Sequence, residues 1–241
     1  MRILIVNDDG IGSPALPRLA EWASRLGTVT VVAPKEEQSG KSQAIDFRNA
    51  IDIKKVPFAG GIEAYSVDST PADCVRFGVT GLKADYDLVI SGINRGYNLG
   101  DDIAYSGTIG AIFEASRLGI RAMALSTDVT TFDGAFDQLD RVYSFITEKR
   151  LFDHAPLLNV NFPTEQAVGI SITKQGEMFY SDDFMLLDDG RYIQVGDPIE
   201  YESDDITMDI VAVRKGYISI SPLTSQKTDL SAFESIKGMG I

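Results

Sequence analysis

Continuous apolar runs alternate with amphipathic stretches along the first part of the chain. The runs at residues 2–6 (RILIV) and 28–34 (TVTVVAP) are rich in β-branched residues, which is typical of parallel strands covered on both faces. Between them, apolar residues recur at helical spacing from Leu16 to Leu26, and Gly27 follows as a stop signal. A strand, a helix and a strand in this order predict a βαβ unit.

The same alternation continues further along the chain. Apolar runs at residues 86–94 and 121–127 predict two more strands, and residues 108–118 between them predict a helix. Strands that alternate with helices are typical of a parallel sheet with helices on both faces. The first half of the chain therefore predicts an open, doubly wound α/β fold.

An intervening segment predicts a hairpin followed by a helix. Three short strands are predicted at residues 43–49 (QAIDFRN), 50–56 (AIDIKKV) and 63–67 (EAYSV). A helix is predicted to start within residues 69–75 (STPADCV), with Ser69 or Thr70 as the N-cap and Pro71 in the first turn.

The second half is rich in predicted strands, at residues 157–163, 168–176, 191–197 and 216–223. One helix is predicted from about Asp204 to Lys215, closed by Gly216. No composition change marks a boundary. We therefore predict a single domain over residues 1–241, with an α/β core to about residue 128 and a β-rich C-terminal part over about 129–241.

Composition and charge narrow the function classes. The 241 residues carry a net charge of −13, which argues against DNA or RNA polymers as partners because those need clustered Lys and Arg. Residues 177–209 hold eleven acidic residues and one basic residue, a pattern typical of a solvated acidic face. No apolar stretch approaches the roughly 18 residues of a membrane span.

The N-terminus and the cysteine content indicate a location. Asp8 and Asp9 interrupt the first apolar run, so it lacks the basic-then-apolar order of a signal peptide. The single cysteine, Cys74, has no cysteine within the chain to pair with. We therefore expect a cytoplasmic protein without membrane contact.

Oxygen-bearing side chains follow the predicted strands at their carboxyl ends, where ligands bind in such sheets. These are Asp8, Asp9, Ser39, Asn94 and Asn98. Carboxylate, hydroxyl and amide oxygens suit Mg²⁺ or Mn²⁺, whereas one histidine and one cysteine are too few for a conventional zinc site. A cation would also offset the repulsion between Asp8 and Asp9. Ordinary turns and caps at these positions are the alternative interpretation.

A second feature lies at the same predicted edge. Ser106, Gly107 and Thr108 lead into the helix predicted at 108–118. The free N–H groups of a helix start bind anions, and two hydroxyls add donors. A plain helix cap is the alternative. A divalent metal beside a phosphate site indicates phosphoryl chemistry.

Taken together and in order, these motifs resemble the SurE survival-protein family. The resemblance rests on NDDG, VVAPKEEQSG, VDSTPADCV, SGINRGYNLGDDIAYSGTIGA, LNVNFP, KQG and GYISISPL, which span nearly the whole chain. It implies a Rossmann-like core and a metal-dependent phosphatase that hydrolyses nucleoside monophosphates to nucleoside and phosphate. It also implies one divalent ion per subunit and a C-terminal part that is exchanged within a homodimer or homotetramer.

The resemblance assigns roles by position. It places the metal ligands on Asp8, Asp9, Ser39 and Asn94, and the phosphate contacts on Asn98, Ser106, Gly107 and Thr108. In one respect the chain departs from the family pattern. Many relatives have a histidine where this chain has Gln43, and a glutamine cannot act as a general acid near neutral pH.

Three interpretations of the chemistry remain open. The favoured one is direct attack by a metal-activated water, with Asp8, Asp9 and Asn94 as catalytic residues and Asp9 orienting or deprotonating the water. In a covalent route, Asp8 would be the nucleophile. In the third, the chain is a non-catalytic module that binds or senses a nucleotide or phosphate.

Overall fold

The computed structural model of the chain describes residues 1–239. Eleven strands lie in this part: β1 (Arg2–Val6), β2 (Thr28–Pro34), β3 (Ile53–Val56), β4 (Glu63–Val67), β5 (Leu88–Arg95), β6 (Ala122–Thr127), β7 (Leu157–Asn161), β8 (Gly169–Ile172), β9 (Asp183–Leu186), β10 (Tyr192–Val195) and β11 (Tyr217–Leu223). Nine of them form one sheet in the order β3-β4-β2-β1-β5-β6-β7-β11-β8, and β9 and β10 form a separate antiparallel pair.

The centre of the main sheet is parallel. β1 pairs in parallel with β2 and with β5, so that Ile5 lies opposite both Val31 and Ile90. The six strands from β4 to β7 all run in one direction. β3 pairs antiparallel with β4 at one margin, and β11 pairs antiparallel with β7 and parallel with β8 at the other. The mostly parallel α/β sheet predicted from the apolar runs is confirmed.

Seven α-helices accompany the sheet within residues 1–239: α1 (Ala15–Ser24), α2 (Pro71–Arg76), α3 (Gly107–Arg117), α4 (Asp133–Phe136), α5 (Leu139–Glu148), α6 (Asp209–Arg214) and α7 (Leu230–Lys237). Leu19 of α1 and Val142 of α5 belong to one buried apolar cluster, and Val75 of α2 and Ile112 of α3 belong to another. The two clusters cover opposite faces of the sheet, because side chains alternate along each strand: Ile5 belongs to the first and Leu4 to the second. The doubly wound arrangement is therefore confirmed.

The strand order reverses at β1. From β1 the chain moves to β2 and β4 on one side, and then returns to add β5, β6 and β7 on the other. A crevice forms outside the carboxyl ends of the strands at such a switch point. The crevice of this sheet therefore lies between the ends of β1 and β5, and Asp8 and Asp9 follow β1 directly.

Two predicted elements are wrong in whole or in part. Residues 43–49 contain no strand, because Asp46 accepts hydrogen bonds from the backbone N–H groups of Arg48 and Asn49 and closes a turn instead. The helix predicted from Asp204 begins at Asp209. Asp205 accepts bonds from the N–H and the hydroxyl of Thr207, and this turn replaces the first helical turns.

The second half of the chain contributes to the main sheet. β7, β11 and β8 extend it beyond β6, and β9 and β10 stand apart. The strand predicted at 168–176 is shorter than expected, because β8 ends at Ile172. Helices α5 and α7 were not predicted, although the buried residues Leu139, Val142 and Ile146 of α5 recur at helical spacing. No helix within residues 1–239 is long and apolar enough to cross a membrane.

Candidate active site

The candidate site lies in the crevice between β1 and β5. Val6, the last residue of β1, pairs with Ser91 of β5, so Asp8 and Asp9 leave the sheet beside the residues that end β5. The ladder between β5 and β6 contains a bulge, because Ser91 and Asn94 pair with Ala124 and Ser126. One extra residue in β5 re-aims the end of the strand, which carries Asn94.

Glycine is required inside this bulge. Gly92 has a φ of +133°, and a Cβ there would lie 2.3 Å from the carbonyl oxygen of Leu125, which leaves no room for any side chain. Beyond the bulge, the Asn94 Nδ2 donates a hydrogen bond of 2.9 Å to the carbonyl oxygen of Gly96. This bond fixes the amide and leaves the Asn94 Oδ1 available to a ligand.

Asp8 is buried and bonded to the start of α3. The Thr108 hydroxyl donates to Asp8 Oδ1 over 2.6 Å, and the Thr108 N–H donates to Asp8 Oδ2 over 3.2 Å. Burial raises the pKa of Asp8, and the bonds from Thr108 partly oppose this effect. The hydroxyl and the backbone N–H of Thr108 therefore both donate to Asp8. A direct contact between Thr108 and a phosphate stays a prediction.

Asp9 has a perturbed pKa and an unpartnered oxygen. Burial and the charge of Asp8 raise the pKa of Asp9 to about 6, whereas the backbone N–H and the guanidinium of Arg95 act in the opposite direction. The Asp9 Oδ2 is buried and has no hydrogen-bond partner among the described residues. An ionised carboxylate with a buried, unpaired oxygen needs a positive group beside it.

Three further buried atoms lack partners, and they lie near the same crevice. Within residues 1–239, the buried side-chain polar atoms without a hydrogen bond are Asn7 Oδ1, Asp9 Oδ2, Ser13 Oγ and Ser91 Oγ. All four belong to β5 or to the segment that directly follows β1. Since buried polar atoms in native proteins are nearly always paired, this concentration indicates a site for a polar ligand or ion.

Ser39 reaches the site from the loop after β2. The Gln38 N–H donates to the carbonyl oxygen of Asp8 over 2.7 Å, which ties this loop to the aspartate segment. The Ser39 hydroxyl donates to Glu37 Oε1 over 2.7 Å, and its lone pairs remain free to bind a cation. Glu37 was not singled out from the sequence, although it lies in the same KEEQSG motif as Ser39.

Asp9 and Glu37 line a small cavity of about 250 Å³ together with Ser13, Arg95 and Phe132. The Arg95 guanidinium lies 5.7 Å from the centre of the Phe132 ring, and it forms no salt bridge with any described residue. The cavity thus offers both carboxylates for a cation and one unpaired guanidinium for an anion.

Asn98 lies in a buried network of asparagines. Its N–H donates to Asn161 Oδ1 over 2.9 Å, and its carbonyl oxygen accepts bonds from Asn159 and Asn161. The Asn98 Nδ2 donates to the Ser126 hydroxyl over 2.7 Å. Asn159 and Asn161 end β7 and were given no role from the sequence, although the LNVNFP motif contains both. They hold the loop of Asn98 against the sheet.

Ser106 and Gly107 form the start of α3. The Ser106 hydroxyl accepts the Ile109 N–H over 3.1 Å and acts as the N-cap. Gly107 packs against Asp8, because a Cβ there would lie 3.1 Å from Asp8 Oδ2. The first N–H groups of a helix have no partner within the helix. The Gly107 N–H thus remains as an anion donor beside Asp8.

Gln43 has a defined position in the structure. Its Nε2 donates to Glu114 Oε2 over 3.1 Å, and Glu114 also accepts bonds from Arg76 and Arg117. Burial raises the pKa of Glu114, but the bonds from Arg117 and Gln43 outweigh it and lower the pKa. Gln43 therefore ties the loop of Ser39 to α3.

The donor set limits which ions the site can hold. No group of three or more His, Cys, Asp and Glu side chains within residues 1–239 is arranged to hold a metal. The site instead offers two carboxylates with hydroxyl and amide oxygens. Such a set suits Mg²⁺, which is usually held by one or two carboxylates and keeps several waters.

Comparisons with known proteins show which family and fold the chain resembles. The family model described as "Survival protein SurE" matches residues 3–182. The protein named 5'-nucleotidase SurE from Thermoanaerobacter sp. is 38% identical over 254 residues, which cover 100% of this chain and 99% of the relative. The 5'-nucleotidase SurE 1 of Thermus thermophilus is 38% identical over 248 residues, with 99% and 98% covered. The crystal structure of the SurE protein from Aquifex aeolicus superposes with a TM-score of 0.82, at 32% identity and complete coverage of both chains.

Thr108→Val should destabilise the protein through Asp8. Valine keeps the shape of threonine but leaves Asp8 Oδ1 without its hydroxyl donor, so we expect the free energy of unfolding to fall by about 1–3 kcal/mol. Thr108→Ser keeps the donor and should lose less. Urea unfolding of both variants in EDTA at pH 7.5 measures this difference. Equal stabilities for the two variants would show that the hydroxyl bond contributes nothing.

Asp9→Asn should stabilise the metal-free protein near neutral pH. The pKa of Asp9 is raised from 3.8 to about 6, so the ionised carboxylate is disfavoured in the folded state, and the penalty develops as the pH rises from about 4 to 6. Since Asp9 is only partly buried, we expect a gain of about 1–2 kcal/mol at pH 7.5 that fades toward pH 4.

Urea unfolding in EDTA at pH 7.5, 6 and 4.5 measures this gain. Glu36→Gln, at an exposed carboxylate on the neighbouring loop, controls for the change in net charge. If Asp9→Asn were less stable than the wild type at pH 7.5, the folded state would not disfavour the ionised Asp9 carboxylate.

Proposed function

The chain belongs to the SurE survival-protein family, and from this premise we propose that it is a phosphoric monoester hydrolase that converts nucleoside 5'-monophosphates to nucleoside and phosphate. The observation that carries the proposal is the pair of aspartates at the switch point: Asp8 is bonded to the start of α3, and Asp9 Oδ2 has no hydrogen-bond partner among the described residues. Relatives that share the whole chain length are named 5'-nucleotidases. The net charge of −13 supports a small substrate over a nucleic acid polymer.

One divalent cation per subunit, Mg²⁺ or Mn²⁺, is part of the proposal. Asp8, Asp9, Ser39 and Asn94 would hold it, and the orphaned Asp9 oxygen and the free Asn94 Oδ1 fit this role. When bound, a divalent cation neutralises charge that develops on the phosphate and lowers the pKa of a coordinated water.

The chain's own residues supply the remaining functions. Asp9 would hold the cation through Oδ2, and its other carboxylate oxygen would orient the attacking water and accept its proton. The Gly107 N–H at the start of α3 binds phosphate oxygens, with Asn98 and Ser106 beside it. Thr108 positions Asp8.

The geometry favours attack by water over a covalent route. The two hydrogen bonds from Thr108 hold the Asp8 carboxylate in place, which suits a fixed cation ligand better than a nucleophile that must move toward phosphorus. Asp9 is therefore a better candidate for the base than Asp8 is for the nucleophile.

We further propose that the protein is a homodimer or homotetramer in which the C-terminal part, at about residues 129–241, is exchanged between subunits. Two of its elements expose apolar side chains: Phe184, Met185, Leu186, Tyr192 and Ile193 on the β9–β10 pair, and Leu230, Phe233 and Ile236 on α7. Neither element buries a residue against the described chain. Exposed apolar patches of this kind mark protein contacts. The single, buried Cys74 supports a cytoplasmic location.

Removal of metal should abolish hydrolysis of nucleoside monophosphates and of glycerol phosphate. We expect no turnover in EDTA and recovery with Mg²⁺ or Mn²⁺, together with about one ion per chain by elemental analysis. Asp8→Asn and Asp9→Asn should each lower kcat by about 100-fold or more and weaken Mn²⁺ binding measured by electron paramagnetic resonance. Asp52→Asn, at an exposed acid remote from the site, serves as the control.

Two outcomes would contradict the proposed function. Full activity in a metal-free preparation would remove the cation from the mechanism. Nucleotide and metal binding without turnover of any phosphomonoester would instead assign the chain to the non-catalytic, sensing alternative.

Subunit association should depend on the β9–β10 pair. Light scattering after size-exclusion chromatography should give the mass of a dimer or tetramer, and Phe184→Asp combined with Leu186→Asp should lower that mass, because it places charge within an apolar contact. Phe47→Asp, at a phenylalanine that is 76% exposed in a different loop, should leave the mass unchanged. A monomeric wild-type protein at micromolar concentration would refute the assembly.

A further inference from the structure

A second and larger cavity lies beside the candidate active site. It has a volume of about 550 Å³, and the residues that matter here are Gly40, Asp102, Tyr105, Tyr180, Asp182 and Gln194. This volume falls within the range of roughly 300–1,000 Å³ that is typical of small-molecule sites. The cavity of about 250 Å³ next to Asp9 is smaller than that range, and it suits an ion and a phosphate group.

Two residues that line the large cavity are sequence neighbours of proposed site residues. Gly40 directly follows Ser39, and Tyr105 directly precedes Ser106. The Ser42 N–H donates to the carbonyl oxygen of Tyr105 over 2.9 Å and so joins the two segments. Adjacent Cα atoms are about 3.8 Å apart, so a phosphate bound at Ser106 would lie close to Tyr105 in the wall of the cavity.

Two tyrosines give this wall aromatic surface. Tyr105 is 64% exposed and Tyr180 is 40% exposed. Tyr180 is held in place, because its backbone N–H donates to Asp102 Oδ2 over 3.2 Å and its ring meets the Phe179 ring edge-on at 4.7 Å. Tyr105 presents its ring to solvent directly before the phosphate segment. Exposed, fixed aromatic rings are surfaces on which nucleobases stack.

The polar groups of the cavity select against phosphate. Asp102 and Asp182 contribute carboxylates, and no Lys or Arg among the described residues lines the cavity. Asp182 Oδ1 accepts a bond of 3.2 Å from Gln194 Nε2, which orients that carboxylate. An ionised carboxylate only accepts hydrogen bonds, so the cavity repels an anion and favours a group that presents N–H donors.

We propose that this cavity binds the nucleobase of the substrate, with Tyr105 and Tyr180 as the stacking surface and Asp182 as the acceptor that selects bases with an exocyclic amino group. The inference rests on the proposed nucleotidase function and adds base selection to it. The acidic wall also sets the orientation of the nucleotide, because it directs the phosphate toward the cation site.

Matched nucleotide pairs test the role of Asp182. AMP and IMP differ at the exocyclic amino group, as do CMP and UMP, so wild-type kcat/KM should be about tenfold higher for AMP and CMP. Asp182→Asn should reduce both ratios toward one. Asp183→Asn removes the same charge at the next residue, which does not line the cavity, and should keep the wild-type ratios.

A second pair of variants tests stacking. Tyr105→Ala should lower kcat/KM for AMP relative to that for glycerol phosphate by about tenfold, whereas Tyr105→Phe keeps the ring and should keep the ratio. The loss should appear mainly as a higher KM for AMP, because stacking binds the ground state and the transition state alike.

A measurement on the wild-type protein does not depend on how the variants fold. Adenosine carries no phosphate and needs no metal, and in EDTA it should bind more tightly than inosine by isothermal titration calorimetry. Equal binding of the two nucleosides, or equal turnover of AMP and IMP with no response to Tyr105→Ala, would overturn the base-binding assignment. Absence of turnover on AMP, IMP and glycerol phosphate alike would instead refute the proposed function.

Discussion

The contact between Asp8 and Thr108 sets the geometry on which the rest of the site depends. It joins the end of β1 to the start of α3 through two hydrogen bonds to one buried carboxylate. The helix start approaches so closely that a Cβ on Gly107 would lie 3.1 Å from Asp8 Oδ2, and the Gly107 N–H is left beside the carboxylate. A strand end that carries negative charge and a helix end that carries partial positive charge are thereby held at one edge of the sheet.

Several carboxylates lie close together around this contact, and their negative charges repel one another. Asp8 is buried, and its burial raises its own pKa; Asp9 follows directly, and burial together with the charge of Asp8 raises the pKa of Asp9. Glu37 adds a third negative charge, and Arg95 is the one guanidinium among the residues that line the small cavity. This excess of negative charge destabilises the folded protein when no cation is bound, and it favours the binding of a cation. The Asp9 Oδ2, which has no hydrogen-bond partner among the described residues, is the atom at which this excess of negative charge is left unpaired.

Residues from the second half of the chain hold the site together. The side chain of Asn161, at the end of β7, accepts the Asn98 N–H and donates to the Asn98 carbonyl oxygen. Buried Asp209, at the start of α6, accepts the N–H groups of Gly100 and Gly176 over 3.0 and 2.8 Å. The loop that links β5 to α3 is thus fixed by groups far away in sequence. The second half therefore supports the site as well as extending the sheet.

Much of the core could be predicted from the sequence, because its signals are local. A strand buried on both faces needs a continuous apolar run, and β1, β2, β5 and β6 contain such runs at residues 3–6, 31–34, 88–90 and 122–125. The N-cap of α2 was narrowed to Ser69 or Thr70, and Thr70 accepts the Asp73 N–H as a cap does. The paired aspartates and the helix start near Ser106 were likewise visible, since turn and cap chemistry depends on neighbouring residues.

The partners of these groups were decided only by the tertiary structure. Asp8 and Thr108 are 100 residues apart, and a choice between phosphate and carboxylate as the partner of Thr108 depends on where α3 lies relative to β1. The same holds for Asn98 and Asn161, and for the place of β11 between β7 and β8. Strand order and bulges determine which polar groups meet, and a burial pattern along the chain contains apolar periodicity but not these pairings. The sequence by itself therefore determined the sheet-forming core and the chemistry gathered at its edge, whereas the tertiary structure decided which of those groups hold one another and which remain free for a ligand.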